Sequence, residues 1–149
     1  MSESTKLVLR RRFDAATADV WDACTRPELL ARWFSPKPFH VCEVEAEVRV
    51  GGRFHFRMTG EPGTFAASGV YQEVVHGERV VFSWIWVEGP DNDPPDGFTS
   101  LVTFEFAPDG EGTLMTLSHE RLPDQRQIDS HQEGWTEALS KLESVLQKG

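Results

Sequence analysis

The chain has 149 residues, 39% of them hydrophobic and 11% aromatic, with five Trp and ten Phe; this suits one domain with one core and excludes an aromatic-poor disordered chain. A formal net charge of −9 repels phosphate backbones and anionic lipid, so neither nucleic acid nor a membrane is an expected partner. No stretch approaches the roughly 18 consecutive apolar residues of a membrane span, residues 1–6 carry no apolar signal segment, and Cys24 and Cys42 form no CxxC pair, so a reduced, cytoplasmic setting is expected.

Lys6 to Phe13 reads as a strand ended by Asp14-Ala15-Ala16, with Arg10, Arg11 and Arg12 alternating across it. A helix opens with Thr17 as its N-cap and Asp19 in its first turn, and places Val20, Trp21 and Cys24 on one face, which makes Cys24 a core thiol. Pro27 starts a second short helix, Glu28 to Phe34, which Pro36 and Pro38 stop. From His40 to Val50 the alternation predicts a half-buried strand: His40, Cys42, Val44, Ala46, Val48 and Val50 share the inward face, and Glu43, Glu45, Glu47 and Arg49 the solvated one. Gly51-Gly52 turns the chain into a strand with Phe54, Phe56 and Met58 on one side.

A second hairpin joins Ala67 to Val75 with Val80 to Val87, where Phe82, Trp84 and Trp86 align. An acidic loop, Gly89 to Gly97, precedes strands near Thr99 to Phe106 and Thr113 to Glu120 across an Asp109-Gly110 turn. Past Pro123 an amphipathic helix is predicted from about Gln125 to Gln147, with Ile128, His131, Trp135, Ala138, Leu139, Leu142, Val145 and Leu146 as its apolar stripe. Gly134 in mid-helix costs about 0.8–1.0 kcal/mol against Ala and is expected to mark close packing or space beside the helix. The predicted order is one strand, two short helices, six strands in a meander and a long helix, with no domain boundary.

Asp19-Val20-Trp21, Arg32-Trp33-Phe34, Val50-Gly51-Gly52-Arg53-Phe54, the strand through Trp84, and Gly134-Trp135 ahead of an amphipathic run resemble, in that order, one branch of the START-like (SRPBCC) superfamily. This is the family named after the activator of heat-shock protein 90 ATPase, and the resemblance covers nearly the whole chain. It implies an α+β helix-grip (Bet v 1-like) fold, a single domain over residues 1–149, in which a curved antiparallel sheet of six to seven strands wraps the long C-terminal helix and leaves a cavity between them. It further implies a protein that binds a hydrophobic or aromatic small molecule with no cofactor. A homodimer, a role in stress response and contact with the chaperone also fall within the resemblance. The eukaryotic activators carry a further N-terminal domain not included in these 149 residues, so chaperone contact ranks below ligand binding.

On that fold the inward faces of the strands offer Phe54, Phe56, Met58, Tyr71, Phe82, Trp84, Trp86, Phe104, Leu117 and His119 as ligand-binding candidates. The helices add Trp33, Phe34, His131 and Trp135, giving a large aromatic lining suited to apolar ligands. The alternative is a cyclase-like or hydrolytic enzyme in which His40, His119, His131 or Glu73, the last in register with Tyr71, acts as acid or base in the cavity. No GxSxG, Walker or GxGxxG signature nominates a nucleophile, and the histidines are expected as satisfied or rim groups, with His119 and His131 near a polar rim. His55 and His76 are expected in solvent. His40 and Cys42 could supply two zinc ligands but lack a third, so no metal is expected. Asp91-Asn92-Asp93 departs from a calcium loop at Pro95, Asp96 and Val102.

Overall fold

In the computed structural model, which describes residues 6–36, 39–61, 63–88 and 99–148, the elements follow the predicted order. Strand β1 (Leu7–Phe13) leads into helices α1 (Thr17–Thr25) and α2 (Pro27–Trp33). Strands β2 (His40–Ala46), β3 (Arg53–Gly60), β4 (Gly63–Val75), β5 (Arg79–Glu88), β6 (Ser100–Asp109) and β7 (Gly112–Glu120) then precede helix α3 (Gln125–Lys148). The strands form one curled antiparallel sheet in the order β1-β7-β6-β5-β4-β3-β2. The first strand closes on the last, and the hairpin meander fills the rest, because short turns favour neighbouring antiparallel pairs. This is the α+β helix-grip architecture expected from the sequence, and no helix among the described residues is long and apolar enough to cross a membrane.

The two-residue period decides which side chains reach α3. Ser100, Val102, Phe104 and Phe106 of β6 and Thr113, Met115, Leu117 and His119 of β7 are all buried, while the residues between them are half-buried. The same alternation buries Phe54, Phe56 and Met58 on β3 and Phe82 and Trp84 on β5. On the other side of the core, Trp135, Ala138, Leu139 and Leu142 are buried at helical spacing and join the strand residues in one cluster. Arg11 reaches Glu143 on α3 and so pins the edge strand to the helix.

Three local expectations change. Thr17 does not cap α1: the N-cap is Ala16, without a side-chain cap bond. Thr17 Oγ1 lies 3.1 Å from Thr113 Oγ1, which itself donates to Ala15 O at 2.8 Å. The single Thr113 proton is thus used, Thr17 donates, and the hydroxyl ties α1 to β7 instead of its own helix. Strand β2 stops at Ala46, four residues early, where Glu47 turns back to Arg53: its backbone N–H donates to Arg53 O, and its Oε1 accepts from Arg53 N at 3.0 Å. Gly51, at φ +86°, then makes the predicted turn with a backbone that L side chains rarely adopt. Finally, the ladder between β2 and β3 shifts register between Val41 and Glu43. A bulge adds one residue and breaks the alternation, so Val41 and Val44 are half-buried while His40, Cys42 and Glu43 are exposed.

Candidate functional site

Seven aromatic rings, six from four elements and one from the residue after α2, meet where β3, β5 and β6 face α3. Phe34, just past α2, stands at the centre, with centroids 5.1 Å from Phe56, 5.4 Å from Trp135, 5.6 Å from Phe54 and 5.9 Å from Trp84. Phe54 and Phe82 are 4.8 Å apart, and Phe104 meets Trp135 edge-on at 5.9 Å. These separations are those of aromatic pairs in contact. Toward one end the system continues through Phe82 to Tyr71 at 5.5 Å; toward the other, Trp84 contacts Trp86 at 5.4 Å. Trp33 packs beneath, 6.4 Å from Phe104, with Met58 and Leu117 buried in the same cluster. The rings expected to line a cavity therefore pack on one another. Trp86 and His131, both half-buried, form the margin.

The hydrogen bonds of this cluster fix which nitrogen of each histidine carries the proton. Trp135 Nε1–H donates to His119 Nδ1 at 3.0 Å, leaving Nε2 as the protonated nitrogen; Nε2–H donates to Ser100 Oγ at 2.7 Å, and Ser100 Oγ–H to Trp84 O at 3.2 Å. At the margin, His131 Nδ1–H donates to Gln127 O at 2.8 Å, so its Nε2 is free to accept from Trp86 Nε1–H at 3.1 Å. The two imidazoles meet edge-on with centroids 4.7 Å apart. His119 is fully buried, and that burial first, the nearby His131 second, holds its pKa far below the ordinary imidazole value. His119 is thus no rim residue but a sealed, neutral group with both nitrogens engaged, and it has no free nitrogen to exchange a proton with a substrate. His131 does lie at the rim.

Four indoles belong to the buried cluster and its margin. Trp33 donates to Ala23 O at 2.8 Å, Trp86 to His131 and Trp135 to His119. Trp84 Nε1 is buried and has no partner among the described residues, a state that costs about 1–3 kcal/mol.

The remaining candidates do not join the cluster. His40 is exposed and separated from Cys42 by the β2 bulge, and Cys42 Sγ instead donates to Arg57 O at 3.5 Å. Glu73 does not enter the core: the β4–β5 ladder shifts between Tyr71 and Glu73, and its carboxylate accepts from Arg79 at 3.0 Å beside Glu105. That carboxylate holds the Arg79 guanidinium above its usual pKa. His55 is half-buried on the outer face, bonded to Ser68 Oγ at 2.7 Å, and His76 is exposed but lies 5.1 Å from the Trp21 ring. Gly134 faces Pro36, whose ring carbons lie 3.8 and 3.9 Å from where a Cβ would stand, so it does not widen the core. The acidic loop, residues 89–97, lies outside the described residues. Burial pushes the thiol of Cys24 up, as it does the Tyr71 hydroxyl, so neither is an activated nucleophile.

Sequence reasoning missed Ser100, Phe65 and Phe39. Ser100 sits opposite Trp84 in the β5–β6 register, on the inward parity of Val102 and Phe104, so a small polar residue at a core position was the available signal. Phe65 lies 5.7 Å from Trp86 and 5.4 Å from Phe39, extending the aromatic margin.

The family model described as "Activator of Hsp90 ATPase homolog 1-like protein" matches residues 14–147. No functionally curated protein matches the chain, whereas several solved structures do. A protein from Nitrosomonas europaea is 28% identical, covering 99% of this chain and 97% of its own, with a TM-score of 0.81. The AHSA1 protein from Silicibacter pomeroyi is 29% identical over 95% and 96%, with a TM-score of 0.83. CalU16 from Micromonospora echinospora is 28% identical over 95% and 75%, with a TM-score of 0.72.

Proposed function

From the premise that the chain belongs to the family of activator of Hsp90 ATPase homolog 1-like proteins, we propose that it is a small-molecule binding protein that takes a hydrophobic or aromatic ligand between the sheet and α3. The observation that carries this reading is the aromatic system itself, which runs without interruption from buried Phe54 and Phe82 through Trp84 to half-buried Trp86 and His131. A ligand entering there displaces ring–ring contacts and replaces them with its own, and one Trp–His hydrogen bond closes the margin.

Against an acid–base enzyme in this site stand the full engagement and depressed pKa of His119 and the absence of His40 and Glu73 from the cluster. The contact with a chaperone that the family description suggests draws on no feature of this site. A reducing, cytoplasmic setting accompanies the proposal, in keeping with the free thiols of Cys24 and Cys42.

Native mass spectrometry of the protein as purified tests the reading and gives the oligomeric state in the same spectrum. A co-purifying small molecule, or saturable binding of an apolar fluorescent probe that Trp86→Ala weakens, supports it. Probe binding that Trp86→Ala leaves unchanged refutes the placement. A chaperone pull-down that retains the protein while no small molecule binds would favour the chaperone reading instead.

A further inference from the structure

Among the described residues, every fully buried side-chain nitrogen and oxygen of the aromatic cluster except one has a hydrogen-bond partner. Trp135, His119, Ser100 and the Trp84 carbonyl form one closed chain, and Trp86, His131 and the Gln127 carbonyl form another. The exception is the Trp84 indole N–H. Its ring is 3% exposed and surrounded by Phe34, Phe54, Phe56, Phe82, Trp86, His119 and Trp135, with centroids between 5.2 and 6.3 Å away. A buried N–H without an acceptor is rare in folded proteins and calls for one. Among the described residues no Asp, Glu, Lys or Arg is buried, so nothing in the cluster would balance a charge on an incoming molecule.

Resting on the small-molecule reading above, we infer that the Trp84 Nε1–H is the polar anchor of the site, and that the ligand is an uncharged aromatic or polycyclic molecule carrying one acceptor oxygen, a carbonyl or an ether. The ring surfaces supply affinity for the hydrocarbon frame, and the single unmet donor selects for the oxygen and sets its position. A carboxylate would bring a charge into a site without a counter-charge. An alcohol would bring a proton that the closed hydrogen-bond chains do not need.

The pair 9-fluorenone and fluorene tests this, since the two share a tricyclic frame and differ in the ketone oxygen. Calorimetric titration of the full chain is expected to favour fluorenone by about tenfold, ~1.4 kcal/mol. Trp84→Phe, which keeps an aromatic ring and removes the N–H, should bring the ratio of fluorenone to fluorene affinity, both measured in the variant, from about tenfold to about one, whatever the loss of ring surface does to the two affinities together. In the unaltered protein the Trp84 indole N–H resonance should move downfield with fluorenone and much less with fluorene, a readout that does not depend on the variant folding. If Trp84→Phe keeps the fluorenone preference, or the Trp84 resonance stays put while fluorenone binds, the anchor is refuted and small-molecule binding stands. If neither probe binds and no molecule co-purifies, the binding reading fails and the anchor with it.

Discussion

His119→Gln replaces a sealed, neutral imidazole with a side chain that does not titrate, and its consequence is a change in how stability depends on pH. In the folded protein burial depresses the His119 pKa far below the ordinary imidazole value of about 6.5 that the unfolded chain keeps. Below about pH 6.5 the unfolded state takes up a proton that the folded state refuses, so stability is fully present above that pH and is lost as the pH falls. Between pH 7 and 5 the loss from this one group is about 2 kcal/mol, since each unit below the unfolded pKa contributes about 1.4 kcal/mol.

At pH 7 the variant should be less stable than the parent by about 1–3 kcal/mol, because Trp135 Nε1–H loses its Nδ1 acceptor. At pH 5 that gap should shrink by about 2 kcal/mol. Urea melts of both proteins at pH 7, 6 and 5 read the difference, and subtracting the two curves removes the other histidines and the carboxylates. Parallel curves would refute a neutral, sealed His119. Should the variant not fold, NMR of the parent answers the same question: the His119 ring signals should hold their neutral-form positions from pH 8 to 5, and a titration midpoint near 6.5 would sink the argument.

Trp86→Ala should cost under about 2.5 kcal/mol in a denaturant melt, less than the 3–5 kcal/mol of a fully packed Trp, because Trp86 is half-buried; it should also weaken apolar probe binding by about tenfold. Gly134→Ala should raise stability by about 0.8–1.0 kcal/mol, since a methyl group there would meet Pro36 at ordinary contact distance; a loss would show that the α3–Pro36 contact is tighter than it stands. Gly69→Ala should destabilise by at least about 3 kcal/mol, because its Cβ would sit 1.7 Å from Ser83 O, and a near-neutral melt would refute that close approach. With a thiol reagent at neutral pH, Cys42 should react in the native protein and Cys24 only after denaturation, as its burial and raised pKa require; equal rates would contradict the buried position.

The element order, the antiparallel meander and most of the aromatic set are legible in the residues alone, because alternation and helical spacing are local properties of backbone geometry. Phe54, Phe56, Phe82, Trp84, Phe104 and Trp135 could be assigned to the core by counting alone, and so could Cys24. That count fails wherever a ladder gains a residue: the bulge at Cys42 turns His40 and Cys42 out to solvent, and the shift past Tyr71 leaves Glu73 with Arg79. Both shifts are set by what the strand meets across the sheet, not by its own residues. The state of His119 lay further out of reach, since its partners Ser100 and Trp135 come from another strand and from α3. Only the tertiary structure brings these groups together, excludes water from them, and leaves the Trp84 N–H as the one fully buried side-chain donor of the cluster without an acceptor among the described residues, because pairing donors with acceptors depends on long-range contacts that local sequence patterns do not encode.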